Sequence, residues 1–192
     1  MRPFLACGLA AMVYFLAGPF SSSDGVSAGT AIRLEVSELA YNASLIVEGR
    51  VLSAQTVEIE GLVATEYLIE VGETLAGTDL AYRAVCVPGG VREDGSGMLL
   101  AGMPMVLPGD TSLFFLTEES SNGLRMPVGL AQGKFDIVLL ADGNKRLARD
   151  ASDVTLINPQ TGMVQNSGGR AVYDYAQVRT EIEAGLARKR NR

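Results

Sequence analysis

The sequence predicts an all-β fold: a small antiparallel β-barrel with a short helix before it and an amphipathic helix after it. Three observations predict this. Residues 45–57 and 63–71 alternate side-chain character with a period of two, as strands do when one face meets a core. Turn-forming stretches recur between such runs, and 22 glycines with seven prolines suit many tight turns better than long helices. The run TSLFFL at 111–116 is β-prone and strongly apolar, which marks a central strand.

The chain has 192 residues, 47% hydrophobic and 20% charged, a balance that points to one globular domain. A domain of this size buries well over half of its unfolded surface, so it needs neither disulfides nor a metal to fold. The net charge of −6 and pI near 4.7 repel nucleic acid unless basic residues cluster. Only residues 188–192 cluster in this way. Their bland reading is a solvated helix end whose charges suit the helix dipole; the alternative is an anchor to an anionic surface.

The chain has no histidine. This excludes Ser-His-Asp and Cys-His catalysis, histidine-based zinc and iron sites, and imidazole pH switching. Of the two cysteines, Cys7 and Cys86, the first lies in a leader-like segment. Removal of that segment leaves Cys86 with no partner for an intramolecular disulfide.

In chain order, residues 1–28 read as a secretory signal peptide. Arg2 supplies the positive charge, FLACGLAAMVYFLAGPF at 4–20 the apolar run, and Val26-Ser27-Ala28 the small residues before a cut at Gly29. The run is short for a membrane span of about 20 apolar residues, and Gly18-Pro19 interrupts it; retention as an anchor is the alternative. Residues 29–44 read as a short helical lead-in, with Leu34, Leu39 and Ala40 on one face of a helix over 32–43. Asn42-Ala43-Ser44 has the form of a glycosylation sequon, but a helix-ending asparagine before a strand is the preferred reading.

Residues 45–149 form the expected barrel. Gly49 within the first strand suggests a bulge or bend, and Glu60-Gly61 a turn. Val63, Thr65, Tyr67, Ile69 and Val71 face inward on the second strand, which ends at Gly77. Residues 82–87 form the third strand, where Cys86 reads as a small buried hydrophobe. After TSLFFL, residues 124–130 read as a strand in which Pro127 marks an edge or bulge. KFDIVLL at 134–140 pairs with 146–148 across Asp142-Gly143-Asn144, a hairpin signal. Residues 150–192 contain turns, a short strand at 154–157, and a helix capped by Asp174 with Val178, Ile182 and Leu186 as its apolar stripe.

No catalytic constellation is legible. Gly95-Ser96-Gly97 lacks nucleophile-elbow spacing, and no local motif joins Ser96 to Lys134 as a Ser-Lys pair. Glu93 and Asp94 lack the alternating oxygens of a calcium loop. No catalytic, cofactor-binding or metal-binding residue is assigned, and no cofactor is expected. The stretch 88–104 instead combines a turn-rich loop with methionine-rich apolar sequence, which continues as MLLAGMPMVL at 98–107. It reads either as core with a covering loop or as an adaptable contact surface. Gly89, Gly90, Val91, Met103, Pro104 and Met105 are the candidate partner-binding residues.

The phrases LIVEGRV at 45–51, ETLAG at 73–77, PGG at 88–90, GMP at 102–104, LFFL at 113–116 and QGKF at 132–135 carry a resemblance. Their order resembles a group of uncharacterised exported bacterial proteins, over about residues 34–140. Some members of that group are associated with secreted matrixin-type metalloproteases, so the resemblance implies such a protease as a partner. The strand phrase and its exit turn are also similar to the netrin-like OB-fold domain of tissue metalloprotease inhibitors. Those inhibitors present an N-terminal cysteine to the catalytic zinc. The expected mature start here is Gly29-Thr30, so no chelating or inhibitory residue carries over.

The fold expectation is therefore an OB-like antiparallel barrel, a type that binds ligands across one sheet face and its flanking loops. The functional expectation is an exported, non-catalytic binding module, periplasmic or extracellular. It contacts a protein partner, does not bind nucleic acid, and has no membrane span after leader cleavage. Two alternatives stand beside it: a hydrolase using carboxylates or a Ser-Lys pair, and a structural envelope protein.

Overall fold

The computed structural model describes residues 29–165 and 168–191. The expected signal peptide, residues Asn166 and Ser167 of the expected turn, and Arg192 lie outside the described residues.

The described chain is mostly β-sheet with two helices. In order it forms β1 (Gly29–Ile32), α1 (Val36–Asn42), β2 (Leu45–Ile59), β3 (Leu62–Ala76), β4 (Tyr82–Pro88), β5 (Gly90–Val91), β6 (Gly97–Met98) and β7 (Thr111–Leu116). After a 3-10 turn at Leu130–Gly133 come β8 (Lys134–Leu139), β9 (Lys145–Asp150), β10 (Val154–Ile157), β11 (Val164–Gln165), β12 (Arg170–Asp174) and α2 (Tyr175–Arg190). No helix among the described residues is long and apolar enough to cross a membrane.

Seven strands form one antiparallel sheet in the order β12-β9-β8-β7-β2-β3-β4. Its two faces bury different cores. On one face Ile46, Leu113, Phe115, Phe135 and Leu147 pack against Val36, Leu39 and Ala40 of α1 and Val178 and Ile182 of α2. Asp174 starts α2 by accepting hydrogen bonds from the backbone N–H groups of Ala176 and Gln177, at 3.0 and 3.2 Å. On the other face Leu45, Val47, Val51, Ile69, Val85, Val87, Phe114 and Leu116 form a second core. The period of two sends neighbours Phe114 and Phe115 to opposite sides.

The long β2–β3 pair bends across its middle. Register shifts fall between Ile46 and Val47, Glu48 and Gly49, and Val51 and Ser53. A Cβ on Gly49 would lie 2.6 Å from both the Ile69 Cγ2 and the Glu70 carbonyl oxygen, so only glycine permits this approach.

Several expectations are corrected here. Among the described residues no closed barrel is found, and β4 and β12 end the ladder. From Ser112 to Phe114 the side of β7 away from β2 is taken by β8, which extends the sheet toward β9 and β12 and away from β4. Residues 124–130 form no strand. They contribute only isolated bridges, Leu124 to Cys86 and Pro127 to Leu116. Pro127 has no N–H to donate, and a continuous ladder stops there. The helix expected over 32–43 is present but shorter, as α1, and Gly29–Ile32 ahead of it is a strand running parallel to β10. A second small sheet, β1-β10-β11, contains the strand expected at 154–157 as β10, and adds β1 and β11 from sequence expected to be helical lead-in and turn. Cys86 is half-buried rather than buried. Its thiol meets the Glu66 carboxylate at 3.7 Å, and burial, followed by that carboxylate, pushes its pKa up.

Gln132 fixes the small sheet to the large one. Its fully buried amide donates to the Ile32 carbonyl at 2.9 Å and accepts from Leu34 N–H at 2.9 Å. The stretch between β1 and α1 is therefore held by one side chain nearly 100 residues away, at |i−j| = 98.

Candidate functional site

The bent end of the sheet encloses an apolar cavity of about 320 Å³. Its wall consists of every second residue on three strands: Thr65, Tyr67 and Ile69 of β3, Val85 and Val87 of β4, and Phe114 and Leu116 of β7. Its roof is the stretch 98–106. At the mouth, Leu99 is 77% exposed and Met105 76% exposed, so large apolar side chains stand in water beside an apolar hole.

Little polarity reaches this space. Thr65 Oγ1 donates to the Gly89 carbonyl at 2.7 Å, and burial raises the Tyr67 hydroxyl pKa. Asp153 is the charged side chain among the lining residues. The chain turns from β4 into β5 at Gly89, whose φ of 104° lies where a side chain is strained. Such a site can hold an uncharged apolar group; it offers no paired acid and base for chemistry.

Of the six candidate partner-binding residues, Gly89, Gly90, Met103, Pro104 and Met105 line this cavity. Val91 does not. It is 53% exposed and lies in a polar depression beside Glu58 and Arg92. Met103 is partly buried against the second core and packs as well as lines. Compared with known protein families, curated proteins and solved structures, the chain matches none.

The same roof borders a second, charged cavity of about 510 Å³. Met103, Pro104 and Met105 line both. Lys134 lies within it, 8% exposed, with Nζ 2.7 Å from the Met105 carbonyl, 2.8 Å from Asp136 and 3.3 Å from Asp110. Ser112 donates to Asp136 as well, at 2.9 Å. Asp150 is held down to about 2, first by hydrogen bonds from Ser152 and then by Arg170. Ser96 bonds instead to Asp94, at 2.6 Å from its hydroxyl, so the structure does not bring Ser96 and Lys134 into a pair.

Sequence reasoning missed the anchoring role of Lys134 and the contributions of Leu99, Asp153 and Pro127. The inward alternation of β3 already pointed Tyr67 and Ile69 at the cavity. Asp153 and Pro127 come from segments whose approach depends on tertiary packing.

Proposed function

We propose that the protein is an exported, non-catalytic binding module, and that the apolar cavity under residues 98–106 receives apolar side chains of a protein partner. One observation carries this reading: five residues from two separated segments converge on one mainly apolar cavity flanked by exposed Leu99 and Met105. The OB-like reading belongs to the same proposal. The bridges from Leu124 to Cys86 and from Pro127 to Leu116 span the gap between β4 and β7 and support an incomplete, OB-like ring around the cavity. The resemblance to exported proteins associated with matrixin-type proteases favours a secreted metalloprotease as the partner class.

The test is a titration of a purified, secreted matrixin-type protease against the wild type and Met105→Asp. Met105 is mostly exposed, so the substitution changes stability by less than about 0.5 kcal/mol. The expected outcome is binding that weakens at least tenfold with the melting temperature unchanged. Absence of binding removes the protease, and a substitution that lowers only stability removes the surface.

A further inference from the structure

The apolar cavity and its charged neighbour share more than the wall at Met103, Pro104 and Met105. Asp153 lines both. It sits in the turn between β9 and β10, which Val154 N–H closes by donating to the Ala151 carbonyl at 3.1 Å. Ala151 and Val154 are buried together in a small core of their own. Val154 also meets the cavity roof, because a Cβ added to Gly102 would lie 3.2 Å from the Val154 Cγ2. The turn is therefore fixed from both sides, and it holds the exposed Asp153 at the rim common to the two cavities.

The other charges at this rim are already matched. Lys134 pairs with Asp110 and Asp136, and Arg170 with Asp150. Asp153 makes no hydrogen bond or ion pair with a described residue. Four aspartates against one lysine and one arginine leave the lining of the charged cavity with two surplus negative charges. A carboxylate-bearing ligand is repelled there, and a cation is drawn in. The apolar cavity alone would accept the chain of a fatty acid, but the charge at its rim opposes the acid headgroup.

The wall between the cavities also sets a spacing. Residues 103–105 separate the two as a single stretch of backbone. Neighbouring extended chains lie about 5 Å apart, and side chains at i and i+2 of one extended chain point the same way about 7 Å apart. One extended segment can thus place a side chain in each cavity.

We propose that the partner is recognised through an extended segment carrying a large apolar residue and, two positions away, a lysine or arginine. The apolar side chain enters the apolar cavity, and the cation pairs with Asp153. This rests on the reading of the apolar cavity as a binding site and adds the chemistry of what that site receives.

The experiment titrates the full chain with three capped pentapeptides of sequence glycine, phenylalanine, serine, X, glycine, in which X is lysine, glutamine or glutamate. Amide chemical shifts report binding. The lysine peptide is expected to bind about fivefold more tightly than the glutamine peptide, the upper range for an exposed ion pair, and the glutamate peptide most weakly. Asp153→Asn is expected to remove the lysine preference and to leave the affinity for the glutamine peptide unchanged. Glu183→Gln removes the same charge from an exposed position on α2, across the sheet, and is expected to keep the preference. Equal affinity of the wild type for the three peptides overturns the charge preference and leaves the apolar binding site standing. A lysine preference that survives Asp153→Asn, or one that Glu183→Gln also erases, overturns the role of Asp153. Tightest binding of the glutamate peptide overturns the cationic partner in favour of an anionic one. Failure of all three to bind overturns this inference alone, because the protease titration with Met105→Asp reports on the apolar cavity separately.

Discussion

Lys134 Nζ donates a hydrogen bond to the carbonyl oxygen of Met105 at 2.7 Å, from a side chain only 8% exposed. The bond joins β8 to residues 103–106, which have no regular secondary structure of their own. Met105 therefore has two roles at once. Its carbonyl faces a buried ammonium in the charged cavity, while its side chain stands exposed at the apolar one. The partition between the two cavities is held by an electrostatic tie rather than by apolar packing alone.

Lys134→Met keeps the length of the side chain and removes its donors. The Met105 carbonyl, Asp110 and Asp136 lose the ammonium together. The expected cost is about 1.5–3 kcal/mol, the range for hydrogen bonds to charged groups. A thermal melt checks this, together with limited proteolysis, which is expected to cut sooner within residues 103–107. An unchanged melt and digestion pattern shows that the roof is held by other contacts.

Gly49→Ala is expected to destabilise by about 1–3 kcal/mol, because the new Cβ meets the Glu70 carbonyl oxygen of the β3 backbone as well as the Ile69 Cγ2, and the backbone cannot swing aside. Gly72→Ala, on the same strand pair, is the control. Its Cβ lies 3.7 Å from the Glu48 carbonyl oxygen, an ordinary contact, and its effect is expected to stay below about 1 kcal/mol. Urea unfolding of both variants separates a steric effect from any general loss of glycine.

Tyr175 donates its hydroxyl proton to Glu48 Oε2 at 2.6 Å, and Lys145 bonds the other oxygen of the same carboxylate. Burial, then the hydrogen bond to Glu48 and its charge, push the Tyr175 pKa up to about 12. The folded value lies above the unfolded value of about 10. The associated stability is therefore fully present below pH 10 and is lost as pH rises through about 12. Tyr175→Phe is expected to flatten the alkaline fall in stability over that window. Tyrosinate absorbance is expected to lose its latest-titrating component. Comparison of the two proteins isolates the contribution of the tyrosine.

At the acid end, Asp150 provides the opposite sign. Its folded pKa of about 2, set by Ser152 and Arg170, lies below the unfolded value of about 3.9. Its contribution is present above pH 4 and is lost as pH falls through about 2. The pair with Arg170 is largely exposed, so the effect is small. Asp150→Asn is expected to reduce the dependence of the urea midpoint on pH between about 4 and 2. An identical slope in the two proteins refutes the assignment.

The most legible parts of the fold were those where one local segment contains its own instructions. The β8–β9 hairpin folds around Asp142-Gly143-Asn144, and Asn144 N–H bonds to Asp142 Oδ1 at 3.0 Å. Glu60 and Gly61 both take positive φ, 49° and 82°, as a two-residue turn between twisted strands requires. Less legible were β1 and β12, short strands whose partners are distant in sequence and which carry no adjoining hairpin turn. The candidate site divides in the same way. Strand alternation placed Tyr67 and Ile69 inward, and the apolar bias of 98–107 marked the roof, but nothing local told Met103, which packs inward, from Met105, which does not.

By itself the sequence determined the side-chain period of each long strand, the main hairpin turns and the Asp174 cap, because each depends on backbone geometry within a few residues. Only the tertiary structure decided that the sheet stays open, that Pro127 bridges where a strand was expected, and that Lys134 reaches the Met105 carbonyl. Those outcomes depend on which distant backbone groups find partners, and the period of a single strand is the same whichever neighbour it meets.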